Sequence, residues 1–321
     1  MSRIISLALI LAALALAPAS TPARAADHVT VGKAVTSLWA FVPADVGVQE
    51  GIFAKYGLDV EVLDLGNSPR LHQAMTAGSV DFAMTSGADL AFVAKGEPAR
   101  AVAAFATDPR NIAIATLADS SIKTVADLKG QRIGISGTGS ISEWLVRQMA
   151  IQEGWGKDGV TPTPLGSGDA SLAAMRTHQI AAMIASEEVA LQLEAKGIGR
   201  LVTTMGKYAP HFHAHMLFVR KPLLDQNPAL VDRFLKGFFA SIAFMKANKE
   251  ETSKVAAAAL HIDRAIADRV YDEQIGMLET DGHIDPAAIA LMKDSFLEMG
   301  MLQTKPADDQ IIDARFLPVK P

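Results

Sequence analysis

Hydroxyl and glycine residues that could hold a small molecule occur in this sequence in six short groups. The groups are Thr36-Ser37-Leu38-Trp39, Gly66-Asn67-Ser68, Thr85-Ser86-Gly87, Ser136-Gly137-Thr138-Gly139-Ser140, Gly166-Ser167-Gly168 and Ser186-Glu187. Their hydroxyls and backbone N–H groups are donors suited to a carboxylate, a sulfonate or a similar anion. Serine, threonine and glycine are also common at helix N-caps, so each group taken alone fits either role. Taken together, the groups predict a cleft rich in hydrogen-bond donors.

The group Ser136–Ser140, with the sequence SGTGS, is the strongest of the six. Its two glycines allow backbone amides to come close to a ligand. No lysine follows at the position that a phosphate-binding P-loop requires, so this group is not a P-loop.

Two larger side chains accompany these groups. Trp39 lies in a polar turn, where a tryptophan either stacks on a flat ligand or packs as a half-buried wall residue. Glu187 either receives a ligand hydroxyl or amine or favours the N-terminus of its own helix. Trp144 and Trp155 lie within or just after a predicted helix, and we expect them to pack.

Three histidines, His211, His213 and His215, occupy alternate positions. On a strand they would share one face. Alternate strand positions lie about 6.5–7 Å apart, so the rings would converge on one metal ion only if the strand bent. We therefore predict no metal site. His213 is the first of the three that we expect at a ligand, and the alternative is a solvated or core face.

The elements that position these residues come in two runs of alternating strands and helices, near Asp27–Leu117 and Ala118–Leu217. Such alternation predicts mostly parallel sheets with helical crossovers, here in two α/β lobes. In an open parallel sheet the ligand lies beyond the carboxyl ends of the strands. Each of the six groups follows a predicted strand and shares that edge. From Pro228 onward the pattern is helical, and we expect this tail to pack on the first lobe.

The N-terminus predicts export. A positive start at Arg3 and an apolar run over Ile4–Ala17 precede Ala23-Arg24-Ala25, which has the small-x-small form of a cleavage site. This order is typical of a secretory signal peptide, and the run is shorter than the roughly 20 residues of a membrane span. The predicted division is a signal peptide at 1–25, a first lobe of 26–116 plus 219–321, and a second lobe of 117–218.

Composition excludes several classes of function. The chain of 321 residues contains no cysteine, which excludes a lipoprotein anchor, disulfides, thiolate nucleophiles and cysteine metal sites. The net charge is −5, and the sequence contains no cluster of basic residues of the kind that binds nucleic acid. We therefore predict a periplasmic protein, free of lipid and without a cofactor.

Four segments carry a resemblance to a known family. They are WAFVPADVGVQEGIFAKYGLDVEV at Trp39–Val62, AMTAGSVDFA at Ala74–Ala83, VADLKGQRIGI at Val125–Ile135, and a weaker echo of the second segment at Met175–Ile184. They resemble the nitrate/sulfonate/taurine-type substrate-binding proteins, a family that includes thiamine-pyrimidine binders. The resemblance covers most of the predicted mature chain and is specific for the family, but not for its ligand.

The resemblance implies a type II periplasmic-binding fold whose chain crosses twice between lobes, near Ala115–Ala118 and Leu217–Arg220. It also implies an ABC importer made of a permease and an ATPase, to which the chain delivers a small, anionic organic molecule (a sulfonate, a carboxylate or a pyrimidine-like compound). We further predict that the chain is a monomer. The ligand contacts that it implies are Ser37, Trp39, Ser86, Thr138, Gly139, Ser140 and Ser186, with His213 on the return strand. Ser68 and Glu187 are two further predicted ligand contacts, which rest on the turn groups and not on the resemblance.

Two other functions fit the same lobes. One is an enzyme, since fungal pyrimidine synthases and menaquinone-pathway dehydratases resemble this family. Those enzymes are cytosolic, the synthases carry a cysteine-rich motif, and here no nucleophile–base pair stands out, so we predict that the chain is not an enzyme. The other is a binding protein that feeds a sensor instead of a transporter.

Overall fold

The computed structural model describes residues 25–138, 140–166 and 168–321. The predicted signal segment up to Arg24, and the predicted ligand contact Gly139, lie outside the described residues. The described chain contains ten strands: β1 (Asp27–Lys33), β2 (Leu58–Asp64), β3 (Phe82–Ser86), β4 (Ala99–Thr107), β5 (Ile112–Leu117), β6 (Arg132–Ile135), β7 (Thr161–Pro164), β8 (Ala182–Ser186), β9 (Gly199–Thr204) and β10 (His213–Arg220).

The strands form two five-stranded sheets with the same arrangement. The first has the order β2-β1-β3-β10-β4 and the second has the order β7-β6-β8-β5-β9. In the first sheet β1 pairs in parallel with β2 and β3, while β10 is antiparallel to β3 and β4. In the second sheet β6 pairs in parallel with β7 and β8, and β5 is antiparallel to β8 and β9. One strand in each sheet therefore opposes the other four, which confirms the predicted α/β class with mainly parallel strands.

The chain changes sheets earlier than the sequence predicted. It leaves the first sheet after Thr107 and enters the second at Ile112, and it returns between Thr204 and His213. The predicted crossings near Ala115–Ala118 and Leu217–Arg220 are therefore wrong by one strand each. The predicted division had assigned β5 to the first lobe and most of β10 to the second. Below, the first lobe is the sheet that contains β10 with its helices, and the second lobe is the sheet that contains β5 with its helices.

Thirteen α-helices surround the sheets in the described chain. They are α1 (Val42–Gln49), α2 (Ile52–Lys55), α3 (Ser68–Ala77), α4 (Leu90–Ala94), α5 (Ile141–Gln152), α6 (Gly168–Arg176), α7 (Glu187–Ala195), α8 (Lys221–Gln226), α9 (Pro228–Ala247), α10 (Lys249–Leu260), α11 (Arg264–Gln274), α12 (Pro286–Glu298) and α13 (Asp308–Ile311). None of the described helices is long and apolar enough to cross a membrane.

The helical tail, residues 228–321, packs on the first lobe, as predicted. Phe234 of α9 stacks on Phe82 of β3 at 3.8 Å and on Phe53 of α2 at 5.5 Å between ring centroids. Fully burying a phenylalanine side chain contributes roughly 1.5–3 kcal/mol, so these rings anchor the tail. Two isolated bridges, Ala106 to Leu278 and Ala101 to Ile312, tie the tail to β4.

Candidate functional site

The two lobes meet where β1 and β8 end. After β1 the chain makes a short 3-10 turn, Trp39–Phe41, and after β8 the helix α7 begins with Glu187 and Glu188. The backbone N–H of Trp39 donates a 2.8 Å hydrogen bond to Glu188 Oε1. Both residues are completely buried. This bond therefore joins the first lobe to the second inside the protein.

The helical tail also contacts the residues at which the two lobes meet. Gln274, the last residue of α11, donates through Nε2 to Glu187 Oε2 at 2.7 Å and to Glu188 Oε1 at 3.4 Å. Tyr271, one turn earlier, meets the Trp39 ring edge-on with centroids 6.1 Å apart. We name Trp39, Glu187, Glu188, Tyr271 and Gln274 the junction cluster. It brings together parts of the chain that lie far apart in sequence.

A second buried pair adjoins the cluster. Asn111 precedes β5, and its carbonyl accepts a hydrogen bond from the backbone N–H of Glu187 at 2.9 Å. Its side-chain Nδ2 lies 2.7 Å from Nε2 of His215, in β10. The His215 ring packs edge-on against Phe41 at 5.0 Å. Asn111 therefore links a strand of the first lobe to the start of α7 in the second.

Several polar atoms at this place are buried without a hydrogen-bond partner among the described residues. They are Trp39 Nε1, Asn111 Oδ1, Glu188 Oε2 and Gln274 Oε1. A buried polar group without a partner costs about 1–3 kcal/mol, and native structures contain few of them. Four together at a lobe junction indicate a place where a bound molecule would supply the partners.

Burial also changes the acidity of the two glutamates. It raises the pKa of Glu187 to about 8, with a further increase from the neighbouring Glu273, while the hydrogen bond from Gln274 opposes the increase. Burial likewise raises the pKa of Glu188 to about 7, against the opposing hydrogen bond from the Trp39 N–H. Two adjacent carboxyl groups are thus held near the point at which each exchanges a proton at neutral pH.

The histidines do not form a single group. His211 precedes β10 in the left-handed backbone region (φ 62°) and is exposed. His213 is buried, and its Nε2 accepts a hydrogen bond from the backbone N–H of Asp285 at 2.8 Å. Burial lowers the pKa of His213 to about 4 and that of His215 to about 3, so both are neutral. His213 thus holds the start of α12, and its contact with a ligand stays a prediction.

Three predicted ligand serines cap helices. Ser86 Oγ accepts from the N–H of Ala88 at 3.2 Å, Ser140 Oγ from that of Glu143 at 3.3 Å, and Ser186 Oγ from that of Val189 at 3.4 Å. These bonds are the capping alternative that the sequence left open for each turn. Direct contacts from these hydroxyls to a ligand remain predictions.

The other predicted contacts lie in different surroundings. The hydroxyls of Ser68 and Thr85 lie 3.1 Å apart in the first lobe. Ser37 is half-buried and Thr138 is exposed. Of the ten predicted site residues, Trp39 and Glu187 are the two that the structure places in the junction cluster.

Sequence reasoning missed Glu188, Asn111, Tyr271 and Gln274. A signal existed for Glu188, because two consecutive acids open the helix that follows an apolar strand. Gln274 gave no signal, because a polar residue at the end of a surface-type helix is common. Only the packing of the tail places its amide beside the two glutamates.

Two surface hollows in the described part of the chain lie away from this cluster. One, of about 550 Å³, is lined by residues such as Asp119, Arg132 and His178 at the opposite edge of the second sheet. The other, of about 450 Å³, is lined by Pro69, Phe92 and neighbouring residues of the first lobe. Neither lies at the edge where helix N-termini converge, so neither competes with the junction as the predicted site.

Comparison with known proteins gives the chain relatives along most of its length. The family described as "NMT1/THI5 like" matches residues 40–252. A protein of Brucella melitensis biotype 1 named "Putative binding protein" is 25% identical over 292 residues, which cover 84% of this chain and 85% of that protein.

Solved structures agree with the fold. The periplasmic aliphatic sulphonate binding protein SsuA from Escherichia coli is similar with a TM-score of 0.74 and 19% identity, over 89% of this chain and 92% of that one. The desulfurization enzyme DszB is similar with a TM-score of 0.63 and 18% identity, over 91% and 97% of the two chains. Binding proteins and an enzyme therefore share this bilobed architecture, which confirms the predicted periplasmic-binding-protein fold.

Proposed function

The chain belongs to the NMT1/THI5-like family, and from this premise we propose that it is a periplasmic solute-binding protein. It captures a small organic molecule between its two lobes. It then delivers the molecule to an inner-membrane ABC importer made of a permease and an ATPase.

The observation that carries this proposal is the hydrogen bond from the Trp39 N–H to Glu188, which joins the lobes in the interior. The polar atoms without partners around it lie on residues of both lobes and of the tail. A molecule held there would contact all three parts at once. Such a contact is what a protein that closes around its ligand requires.

The relatives support the same conclusion. The Brucella relative is named a binding protein, and the E. coli SsuA structure is of a protein that binds sulphonates in the periplasm. The predicted signal peptide supports a periplasmic location for this chain, and the family resemblance supports the ABC permease and the ATPase as partners. The chain acts as a monomer in this proposal.

Capture requires that the lobes separate and close. Trp39, Glu188 and Gln274 are all completely buried, so a solute reaches them only when the lobes move apart. Two short segments, 108–111 and 205–212, connect the sheets and serve as the hinge. Closure is driven by the solute, because it binds the closed form better than the open one.

An enzymatic role on this fold has less support. The desulfurization enzyme DszB shares the architecture, but the present chain contains no cysteine, which excludes any chemistry that uses a thiol. The junction cluster offers polar partners for a solute, and binding alone accounts for them.

The test uses the mature chain, beginning at Ala26, in a thermal-shift screen against a panel of small metabolites, followed by calorimetry on the hits. We expect at least one hit whose binding changes tryptophan fluorescence. Trp39→Phe should remove that change and weaken binding. Trp155→Phe, in the second lobe outside the junction cluster, is the matched control and should keep both. A hit that binds Trp39→Phe as tightly as the wild type would place the site elsewhere.

A further inference from the structure

We propose that the solute carries a protonated amine or amidine. Its N–H groups donate hydrogen bonds to the carboxylate of Glu188 and to the side-chain carbonyl oxygens of Gln274 and Asn111. This inference rests on the proposed function and names the chemical class of its ligand. It differs from the anionic solute that the turn groups predicted from sequence.

Three of the four polar atoms at this place that have no partner in the described chain are acceptors. Gln274 uses Nε2 for both glutamates, so Oε1 is the atom that it has left. Glu188 Oε2 and Asn111 Oδ1 are likewise acceptors without a partner among the described residues, and all three residues are completely buried. An ammonium group carries three donors and no acceptor, and an amidinium group is also a donor only. Either group would supply donors to these oxygens. Trp39 Nε1, the fourth of the atoms at this place without a partner in the described chain, is itself a donor and would bind an acceptor elsewhere on the solute.

The junction cluster contains two acidic residues, Glu187 and Glu188, and no basic one. A sulfonate or carboxylate placed among these oxygens would face two glutamates and gain few hydrogen bonds. Nearby basic side chains have other partners: Arg269 Nε donates to Glu273 at 2.9 Å, and Lys249 Nζ lies 2.6 Å from Asp272. Lys33, buried near the end of β1, pairs with Asp45 at 3.2 Å and with Asp64 at 3.3 Å. The junction therefore favours a cation.

The junction cluster also contains two aromatic residues, Trp39 and Tyr271. The Trp39 ring meets the Tyr271 ring edge-on, and the Trp39 backbone N–H donates to Glu188. The ammonium of Lys249 already lies 5.6 Å from the centroid of the Tyr271 ring, so Trp39 is the ring that we assign to the bound cation. Indole rings attract cations through the negative charge of their faces, and tryptophan does so best. A carboxylate next to such rings is a suitable combination for binding an amine.

The ionisation of the glutamates fits the same ligand. Burial holds their pKa values near neutrality, so without a cation each carboxyl group is partly protonated at pH 7. A bound ammonium favours the ionised form and releases protons. Glu187 and Glu188 are therefore fully ionised only when the solute is bound.

The experiment compares matched probes on the mature wild-type chain. Each pair shares an apolar body and differs in its head group: butylamine and butanesulfonate, benzylamine and phenylmethanesulfonate, benzamidine and benzoate. Thermal shift gives the hits and calorimetry gives their affinities. We expect binding among the amines and the amidine, and none among their anionic partners.

A variant links the binding to the named residue. Glu188→Gln keeps an oxygen to accept the Trp39 N–H but removes the charge, and it should weaken amine binding about 30-fold or more. Glu251→Gln, which removes the same charge from an exposed position on α10, is the control and should leave affinity unchanged. The comparison of probes on the wild type does not depend on the folding of either variant.

The outcomes separate the two proposals. Binding of the sulfonates or benzoate without the amines would overturn the amine assignment and leave the solute-binding role intact. Amine binding that persists unchanged in Glu188→Gln would also overturn it. A lack of binding by every probe, together with a metabolite screen without hits, would count against the solute-binding role, and the amine assignment would fall with it.

Discussion

His72 in α3 is a buried charged residue outside the junction cluster. Its Nε2 lies 3.0 Å from Asp89 Oδ2, and its Nδ1 lies 2.6 Å from Glu97 Oε2. Burial opposes the charged imidazolium, but the two carboxylates outweigh burial and raise the pKa of His72 to about 9. The imidazolium therefore neutralises acids of the first lobe that would otherwise be buried without a counter-charge.

We predict that His72→Gln destabilises the protein most at mildly acidic pH. Because folding raises this pKa from 6.5 to about 9, the stabilisation is fully present below pH 6.5 and is lost as the pH rises through 9. Removing one partner of a buried pair costs about 3–5 kcal/mol. Urea unfolding of wild type and variant at about pH 6 and about pH 9.5 measures the difference in unfolding free energy, which should shrink at the higher pH.

The control for this prediction is His28→Gln, because His28 is an exposed histidine 3.1 Å from Asp59. An exposed pair contributes about 0–1 kcal/mol, so its difference from wild type should be small at both pH values. The junction glutamates titrate in wild type and variants alike and cancel in each comparison. A His72→Gln difference that is equal at both pH values would contradict the pairing.

At the scale of elements, the turn after β3 packs tightly on two others. A Cβ added at Gly87 would lie 2.3 Å from the carbonyl oxygen of His213 in β10 and 2.4 Å from the terminal methyl of Met292 in α12. The methionine end can move, but the backbone carbonyl belongs to the return strand and cannot. Glycine at this position thus lets the turn contact β10 directly.

We predict that Gly87→Ala lowers the free energy of unfolding by about 1–3 kcal/mol, because overpacking displaces β10 from the turn. Gly137→Ala is the control: a Cβ there meets nothing within 4 Å, so its effect should stay within about 0.5 kcal/mol. Thermal unfolding of both variants gives the comparison. Equal stabilities would show that the turn and the return strand are not in contact as described.

The helix α5 allows a test of capping against ligand binding. Ser140 Oγ accepts from the Glu143 N–H and lies 2.7 Å from Ser142 Oγ. We predict that Ser140→Ala costs about 1 kcal/mol of stability through loss of the cap, and that Ser140→Thr retains most of it. Calorimetry with a solute from the screen should give affinities within about twofold of wild type, since ordinary surface substitutions act weakly. A large loss of affinity with unchanged stability would instead assign the hydroxyl to the solute.

The elements show which parts of the fold could be predicted from sequence. The start of the helical tail was predicted at Pro228, where α9 begins, because Asn227-Pro228 and the apolar periodicity that follows are local signals. The strand β5 was also predicted, but in the wrong sheet. A strand in the middle of a sheet has the same apolar pattern whether it runs parallel or antiparallel, so local sequence does not reveal its partners.

The junction cluster could not be predicted from the sequence for a related reason. Gln274 donates to Glu187 across 87 positions of the chain, and no local pattern records such a contact. The six turn groups drew attention to hydroxyl donors, which proved to cap helices at Ser86, Ser140 and Ser186. The buried acceptors are on Glu188, one residue past a turn group, on Asn111 before β5, and on Gln274 in the tail.

At the scale of the whole molecule, two polar contacts outside the junction cluster hold the lobes together. Trp144 of α5 donates through Nε1 to Glu298 Oε2 of α12 at 3.2 Å. Glu194 of α7 pairs with Arg269 of α11 at 3.2 Å, with both side chains substantially exposed. Both contacts join the second lobe to the tail, which is fixed to the first lobe. They therefore exist only while the lobes are closed.

We predict that the double variant Glu194→Ala and Glu298→Ala shifts the protein toward an open form. The exposed Glu194–Arg269 pair contributes about 0–1 kcal/mol, and the hydrogen bond from the buried Trp144 indole to the Glu298 carboxylate contributes about 1.5–3 kcal/mol. Losing even about 1 kcal/mol changes the ratio of closed to open molecules roughly fivefold. The radius of gyration from small-angle X-ray scattering should therefore increase, and a saturating solute should restore the wild-type value, because the solute favours closure. Asp225→Ala breaks the pair with Lys221 inside α8 and should leave the radius unchanged. An identical radius for the double variant and the wild type would mean that buried contacts such as Trp39 to Glu188, and not these outer ones, keep the lobes closed.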